Sequence, residues 1–474
     1  MSGNVVQRWL AAASALLGMA LAYGLAEGNY TAAVFAAGIL TLMAVGRISS
    51  ARAETWPLAL ILIGYILGNR SFAQLSLTSG IPLLPAEAAL ACGLVVMAYR
   101  GARSGSTGIE MNPVNLAVVA WIALGSARIW TDFQQHGFMA LRDFATVYYA
   151  LFFFFARSLA AHPPSLRLMK RTILGALALL PAAFLTLSHH RAGYWIPEGM
   201  LIFYKEDIVA ALLVAGVFIS FVRLEGSPWL QTAAVAALQA VLVGIQSSRA
   251  AIVALGLSSV WWCIARRWAY VRMQTIILTS AALLLATGAL VNAGGRSSGR
   301  LEEITQRIVS ITDISGRATY GNEELGYLSD NNRFRMIWWQ QVAKEVFETS
   351  PVLGLGFGYD LSRGFVRAYD QDFGENFGAR SPHSILFTAL GRMGLVGLIA
   401  WLAIAVSMAI ATLRAIRAPG RDGLEALGWW SATWALMVSS CFGVVLEGPM
   451  GAVLFWTLLG IAVREGPANP PPAA

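Results

Sequence analysis

Long apolar runs recur from Trp9 to Val463, separated by short polar connectors. A helix needs about 20 apolar residues to cross the hydrocarbon core of a bilayer. On that measure spans are predicted near residues 9–26, 31–45, 56–68, 82–99, 113–130, 141–160, 171–188, 207–222, 228–246, 249–265, 274–292, 383–413, 424–445 and 449–463. The pattern fails in one stretch, Asn292 to Pro382, where Arg, Asp, Glu, Asn and Gly replace the apolar runs. The expectation is therefore an all-α, polytopic membrane protein of about fourteen transmembrane helices. Residues 1–292 carry the first eleven spans, 293–382 form one large loop containing helices, and 383–474 carry the last three.

Composition agrees: 57% of the 474 residues are hydrophobic and 13% charged, against about 25% charged in a soluble domain. The net charge of +8 is read as a topology signal and not as a nucleic-acid footprint, because the basic excess sits in short connectors. With a cytoplasmic N-terminus, the inside connectors hold seventeen Lys and Arg and the short outside ones six. The positive-inside rule then puts both ends in the cytoplasm and the large loop outside. The run Trp9–Ala26 follows Arg8 as a signal peptide would, but no small-residue cleavage site stands out, so it is taken as an uncleaved first span. Cys92, Cys263 and Cys441 all fall in apolar segments, which points to packing residues and away from a disulfide framework or zinc site.

Three helices are expected to begin at the outer boundary, each with a cation or imidazole in its first turn. Ser247 and Ser248 are plausible caps for a span opened by Arg249. In the large loop, Asp330, Asn331 and Asn332 offer a cap to a helix bearing Arg333 and Arg335. Trp339, Val342, Ala343 and Val346 continue that helix at helical spacing until Pro351 and Gly354, Gly356 and Gly358 end it. Ser381 and Pro382 open the third, with His383 next. Arg at a helix N-terminus is unfavourable by roughly 0.3–1 kcal/mol, and a phosphate or diphosphate would compensate, held by free N–H groups and guanidinium forks. The same field keeps an imidazole neutral at pH 7, the profile of a general base.

Each assignment has a plainer rival. Arg249 could be an interfacial snorkelling residue, Arg333 and Arg335 a solvated helix face, and His383 a packed histidine; what favours chemistry is their convergence on one side of the membrane. Arg142 beside Asp143, and Lys205 beside Glu206 and Asp207, also sit at outer helix starts. There adjacent opposite charges can satisfy one another, so these two, with Arg333 and Arg392, are secondary substrate-binding candidates. His136, His189 and His190 lack metal-ligand spacing, and no Walker loop, HExxH or nucleophile elbow occurs. The glycine run 354–358 follows a helix rather than a strand, and turning the chain is its expected role.

Residues Arg335 to Trp339, Pro351, Gly354, Gly356, Pro382-His383 and Gly391, Gly394 and Gly397, together with Ser248-Arg249-Ala250, resemble the O-antigen ligase and Wzy-type polysaccharide polymerase superfamily over Gln246–Trp401. The resemblance implies a GT-C-like helical fold in the bacterial inner membrane. It implies a metal-independent, cofactor-free inverting glycosyltransferase whose periplasmic active site takes glycans from undecaprenyl diphosphate to a glycan or lipid-linked acceptor. Family arginines hold the diphosphate and a loop histidine serves the acceptor; by position these are Arg249, Arg335 and His383, with Arg333 as the alternative to Arg335. Ser384 departs from the family's frequent Asn. Within the family a polymerase of exopolysaccharide or O-antigen repeats, with a chain-length regulator as a further candidate partner, is preferred over a ligase to lipid A core. Outside it, a lipid-linked oligosaccharide flippase is the competing class, disfavoured by the lack of paired broken-helix halves and mid-span charge.

Overall fold

The computed structural model describes residues 50–75, 84–104, 112–189, 201–245, 249–291, 313, 327–369 and 379–465. Among them the chain is helical, its only pairing outside helices being an isolated bridge between Ser188 and Ile202. The first two predicted spans lie outside the described residues, and every later one falls on a helix. Among the described residues five helices are long and apolar enough to cross a membrane, Thr55–Ala73, Pro113–His136, Phe138–Ala160, Pro163–Leu187 and Ile385–Arg417, and Pro228–Gly244 and Arg249–Ile264 are shorter apolar helices. Cys92 and Cys263 are exposed on their helices, which corrects the expectation that all three cysteines pack the interior.

The chain divides into two compact units that cut across the sequence-based partition, residues 1–109 with 151–205, and residues 110–150 with 206–474. In the first unit the helix Thr55–Ile63 passes through a π-turn, Gly64–Gly68, before Asn69–Ala73. Phe72 accounts for the turn, since its ring lies so close over Gly64 that a Cβ there would meet it at 2.4 Å.

The second unit is built round the helix Glu206–Arg223, in which every residue from Ile208 to Val222 is buried. A helix apolar on all sides belongs in an interior, and Pro228–Gly244, Arg249–Ile264 and Gly420–Ser440 pack against it. The helix Tyr327–Thr349 lies within the polar stretch. It packs on Arg363–Tyr369 and on Ile385–Arg417 through Trp338, Val342, Val346, Leu361, Phe365 and Leu390. Val342 and Val346 lie on the expected apolar stripe, but Trp338 and not Trp339 completes it in the core, and Trp338 Nε1 donates to Leu361 O at 2.7 Å.

Gly394 breaks the helix Ile385–Arg417 with φ +65°, a left-handed conformation that glycine adopts without a side-chain clash. A Cβ there would sit 2.3 Å from Val352 O. The break admits the turn that ends the preceding helix: Leu395 N donates to Pro351 O at 2.9 Å and Leu355 N to Gly391 O at 2.7 Å.

Candidate functional site

Arg249 opens its helix as expected, while Ser247 and Ser248 lie outside the described residues. The helix carrying Arg335 begins earlier than its sequence suggests, at Tyr327, so Asp330, Asn331 and Asn332 lie within its first two turns and do not cap it. Asn332 instead works sideways. Its Oδ1 accepts from Arg249 Nη1 at 3.2 Å and its Nδ2 donates to Asp313 O at 2.7 Å. One turn on, Arg335 is largely buried, with its Nε lacking a hydrogen-bond partner. Burial and, secondarily, the nearby positive charge of Arg249 lower its pKa from the usual 12.5 to about 10, with Asp207 opposing them. The charges of Arg249 and Asp207 thus both reach Arg335, which remains charged at neutral pH.

Arg333 is exposed. Two residues apart on an α-helix means roughly 200° of rotation, so Arg333 and Arg335 point to different sides.

His383 does not sit in the first turn of its helix. That helix begins at Ile385 with Ser384 as its cap residue, so Pro382 and His383 precede it. The expected first-turn position of His383 is corrected accordingly, to two residues before the first helical one. His383 has φ +54°, uncommon for a residue with a side chain. Its ring lies 5.5 Å from Trp338, edge-on, and 6.3 Å from Phe334, stacked. Trp339 Nε1 donates to Pro382 O at 2.7 Å, and the Trp339 indole stacks on Phe387 at 5.1 Å.

One helix therefore organises the site. Asn332, Arg335 and Trp339 recur at helical spacing, the first holding Arg249, the last holding the Pro382–His383 turn, and the middle one offering a guanidinium. At 1.5 Å per residue the two anchor points are about 10 Å apart along the helix.

The remaining candidates are Arg392, Arg142 and Lys205. Arg392 is almost fully buried, 3% exposed. Its Nη2 donates to Asp143 Oδ2 at 2.8 Å and its Nη1 to Gly356 O at 3.2 Å and to Tyr359 O. Its donors are committed to the glycine loop, which revises its assignment as a substrate-binding cation. Asp143 turns to Arg392 and to Gly358 N, at 2.9 Å, and not to Arg142, which is exposed. Lys205 belongs to the first unit, where its N–H donates to Asn69 Oδ1 at 2.7 Å.

The glycine run is strapped on both sides. Arg128 donates to Leu353 O at 2.6 Å and Gly354 O at 3.1 Å, Arg380 donates to Gly358 O at 2.8 Å, and Asp132 accepts from Phe357 N at 2.7 Å. The Phe357 and Gly358 N–H groups are satisfied by carboxylates, which suits a structural turn. At Gly358, φ is +87° and a Cβ would meet His136 at 2.4 Å.

Sequence reasoning passed over Asn332 as a linker within the site, and Glu447. Glu447 Oε1 accepts from Ser381 Oγ and from Thr388 Oγ1, the latter at 3.1 Å. Its only signal in the sequence is a carboxylate close to a predicted outer boundary, between Ser440 and Pro449.

Residues 233–402 match the family model described as O-Antigen ligase (Wzy_C), an interval that contains Arg249, Arg335 and His383. No curated protein matches the chain.

Proposed function

Because residues 233–402 match the O-Antigen ligase family model, we propose that this membrane protein belongs to the O-antigen ligase and Wzy-type polymerase superfamily and transfers a glycan from undecaprenyl diphosphate to an acceptor hydroxyl at the periplasmic face of the bacterial inner membrane. The observation that carries the reading is the buried Arg335 guanidinium. It lies within electrostatic reach of a second cation, Arg249, and has an unpartnered Nε, on the helix whose Phe334 and Trp338 pack against the His383 ring.

The chemistry follows from charge. The acceptor oxygen attacks the anomeric carbon while the bond from that carbon to the diphosphate oxygen breaks, and undecaprenyl diphosphate leaves. Preorganised guanidiniums outside bulk water stabilise the negative charge growing on the leaving oxygens, here Arg335 and Arg249. His383 takes the proton of the acceptor hydroxyl on the face opposite the leaving group, which inverts the anomeric configuration. This division of labour needs no metal ion.

Polymerisation of lipid-linked repeats is the proposed reaction, and a ligase would differ only in using a lipid A core as acceptor. The test is reconstitution with a labelled lipid-linked repeat, followed by sizing of the product. Longer glycan is expected from the native protein and none from His383→Ala or Arg335→Ala at equal protein level. Relocation of the repeat without elongation would instead identify a flippase and overturn the reading.

A further inference from the structure

We infer that Glu447 is a positioning residue for His383, holding the Ser381–Pro382–His383 turn through two hydroxyls; the inference rests on the reading of His383 as the base. Glu447 lies in the connection between the helices Gly420–Ser440 and Pro449–Glu465. Its Oε1 accepts hydrogen bonds from Ser381 Oγ and Thr388 Oγ1, and the two hydroxyls are themselves 3.2 Å apart. Ser381 stands two residues before His383. Thr388 is buried in the first turn of the helix that follows, where its N–H donates to Ser384 O at 2.8 Å. A single carboxylate oxygen therefore ties the chain entering His383 to the chain leaving it.

The turn needs such a tie. His383 holds φ +54°, a conformation disfavoured for a residue with a Cβ and kept only where the surroundings over-determine it. The helix's own cap does not provide this: the Ser384 side chain makes no capping hydrogen bond, and its buried Oγ has no partner. What does constrain the turn is Trp339 Nε1 on Pro382 O from one side and Glu447 on Ser381 from the other. Hydroxyls donating to an ionised carboxylate form the stronger, charge-assisted kind of hydrogen bond. Glu447 thus acts through Ser381 and Thr388, while Arg249 is held separately, by Asn332.

The experiment measures kcat and donor KM for the full-length reconstituted protein, with inorganic pyrophosphate binding as a separate readout. Glu447→Ala is expected to lower kcat on the order of 10–100-fold, as a base displaced by about 1 Å would, and to leave donor KM and pyrophosphate affinity unchanged. Glu447→Gln, whose amide oxygen still accepts from both hydroxyls, should restore most of the lost kcat. The double variant Ser381→Ala/Thr388→Ala should match Glu447→Ala, and adding Glu447→Ala to it should cost little more, because residues in one network are not additive. Full kcat in Glu447→Ala, a Gln variant no better than the Ala variant, or a loss confined to pyrophosphate binding would each overturn the inference. Should Glu447→Ala fail to fold, the hydroxyl double variant, which deletes two oxygens and a methyl, carries the same test. His383→Ala measured in parallel separates the two claims. If it stays active, the reading of His383 falls; if it is inert while Glu447→Ala is fully active, only the role of Glu447 falls.

Discussion

Replacing Arg335 with methionine should make the ligand-free protein more stable while removing its affinity for diphosphate. Arg335 is held at a pKa of about 10 against the ordinary 12.5, chiefly by burial and next by Arg249. At about 1.4 kcal/mol per tenfold change in proton affinity, its charged form costs the empty protein about 3 kcal/mol. Methionine fills a similar apolar volume without the charge, and no hydrogen bond is lost at Nε because none is made there. Thermal unfolding in detergent or nanodiscs should show a rise of a few degrees in Tm for Arg335→Met. Pyrophosphate at about a hundredfold excess over its Kd should then stabilise the native protein by about 2.7 kcal/mol and the variant negligibly. The pH dependence has a definite sign. A base whose folded pKa is depressed bears its full cost below about 10, where both folded and unfolded forms are charged, and that cost fades as pH rises towards 12.5. The Tm difference between the two proteins should shrink across that window, and pyrophosphate affinity should fall once pH passes about 10. A variant that is less stable than the native protein without ligand, or that is still stabilised by pyrophosphate, would refute the reasoning.

Arg392→Met, by contrast, should destabilise by about 3–5 kcal/mol, because it leaves Asp143 partly buried without its cation; the double variant with Asp143→Leu should recover much of the yield of folded protein on size-exclusion chromatography. Gly394→Ala should lower Tm as well as transfer activity, since its Cβ would meet Val352 O at 2.3 Å in a left-handed backbone, and limited proteolysis should find the Pro351–Leu355 turn released from the helix break.

Helix placement was readable because apolar run length is itself the physical criterion for a span, and each predicted run from residue 56 onward falls on described helices. The candidate pair Arg249 and Arg335 and the candidate base His383 could be singled out because cations and imidazoles at the ends of apolar helices are rare and visible. Their local geometry could not. Capping at Asp330–Asn332 was a sound local inference that lost to tertiary contact, since Asn332 gains more by joining Arg249 to Asp313 than by closing its own helix. His383 was expected inside the helix on the strength of Pro382, yet the indole of Trp339 holds Pro382 outside it. The adjacent charges Arg142 and Asp143 looked self-satisfying, but neighbours in sequence point in different directions, and Asp143 is instead drawn to the buried Arg392.

What this sequence determines by itself is its class: apolar runs of fixed length force helices, and one polar stretch breaks their rhythm where a match to O-antigen ligases is found. Which cation joins which partner was decided only by the tertiary structure. Choosing Arg335 over Arg333, and recruiting Glu447 to the turn at His383, depends on helix rotation and on segments far apart in the chain meeting in space. Charge interactions depend on distance and burial, and neither is written in the order of residues along the chain.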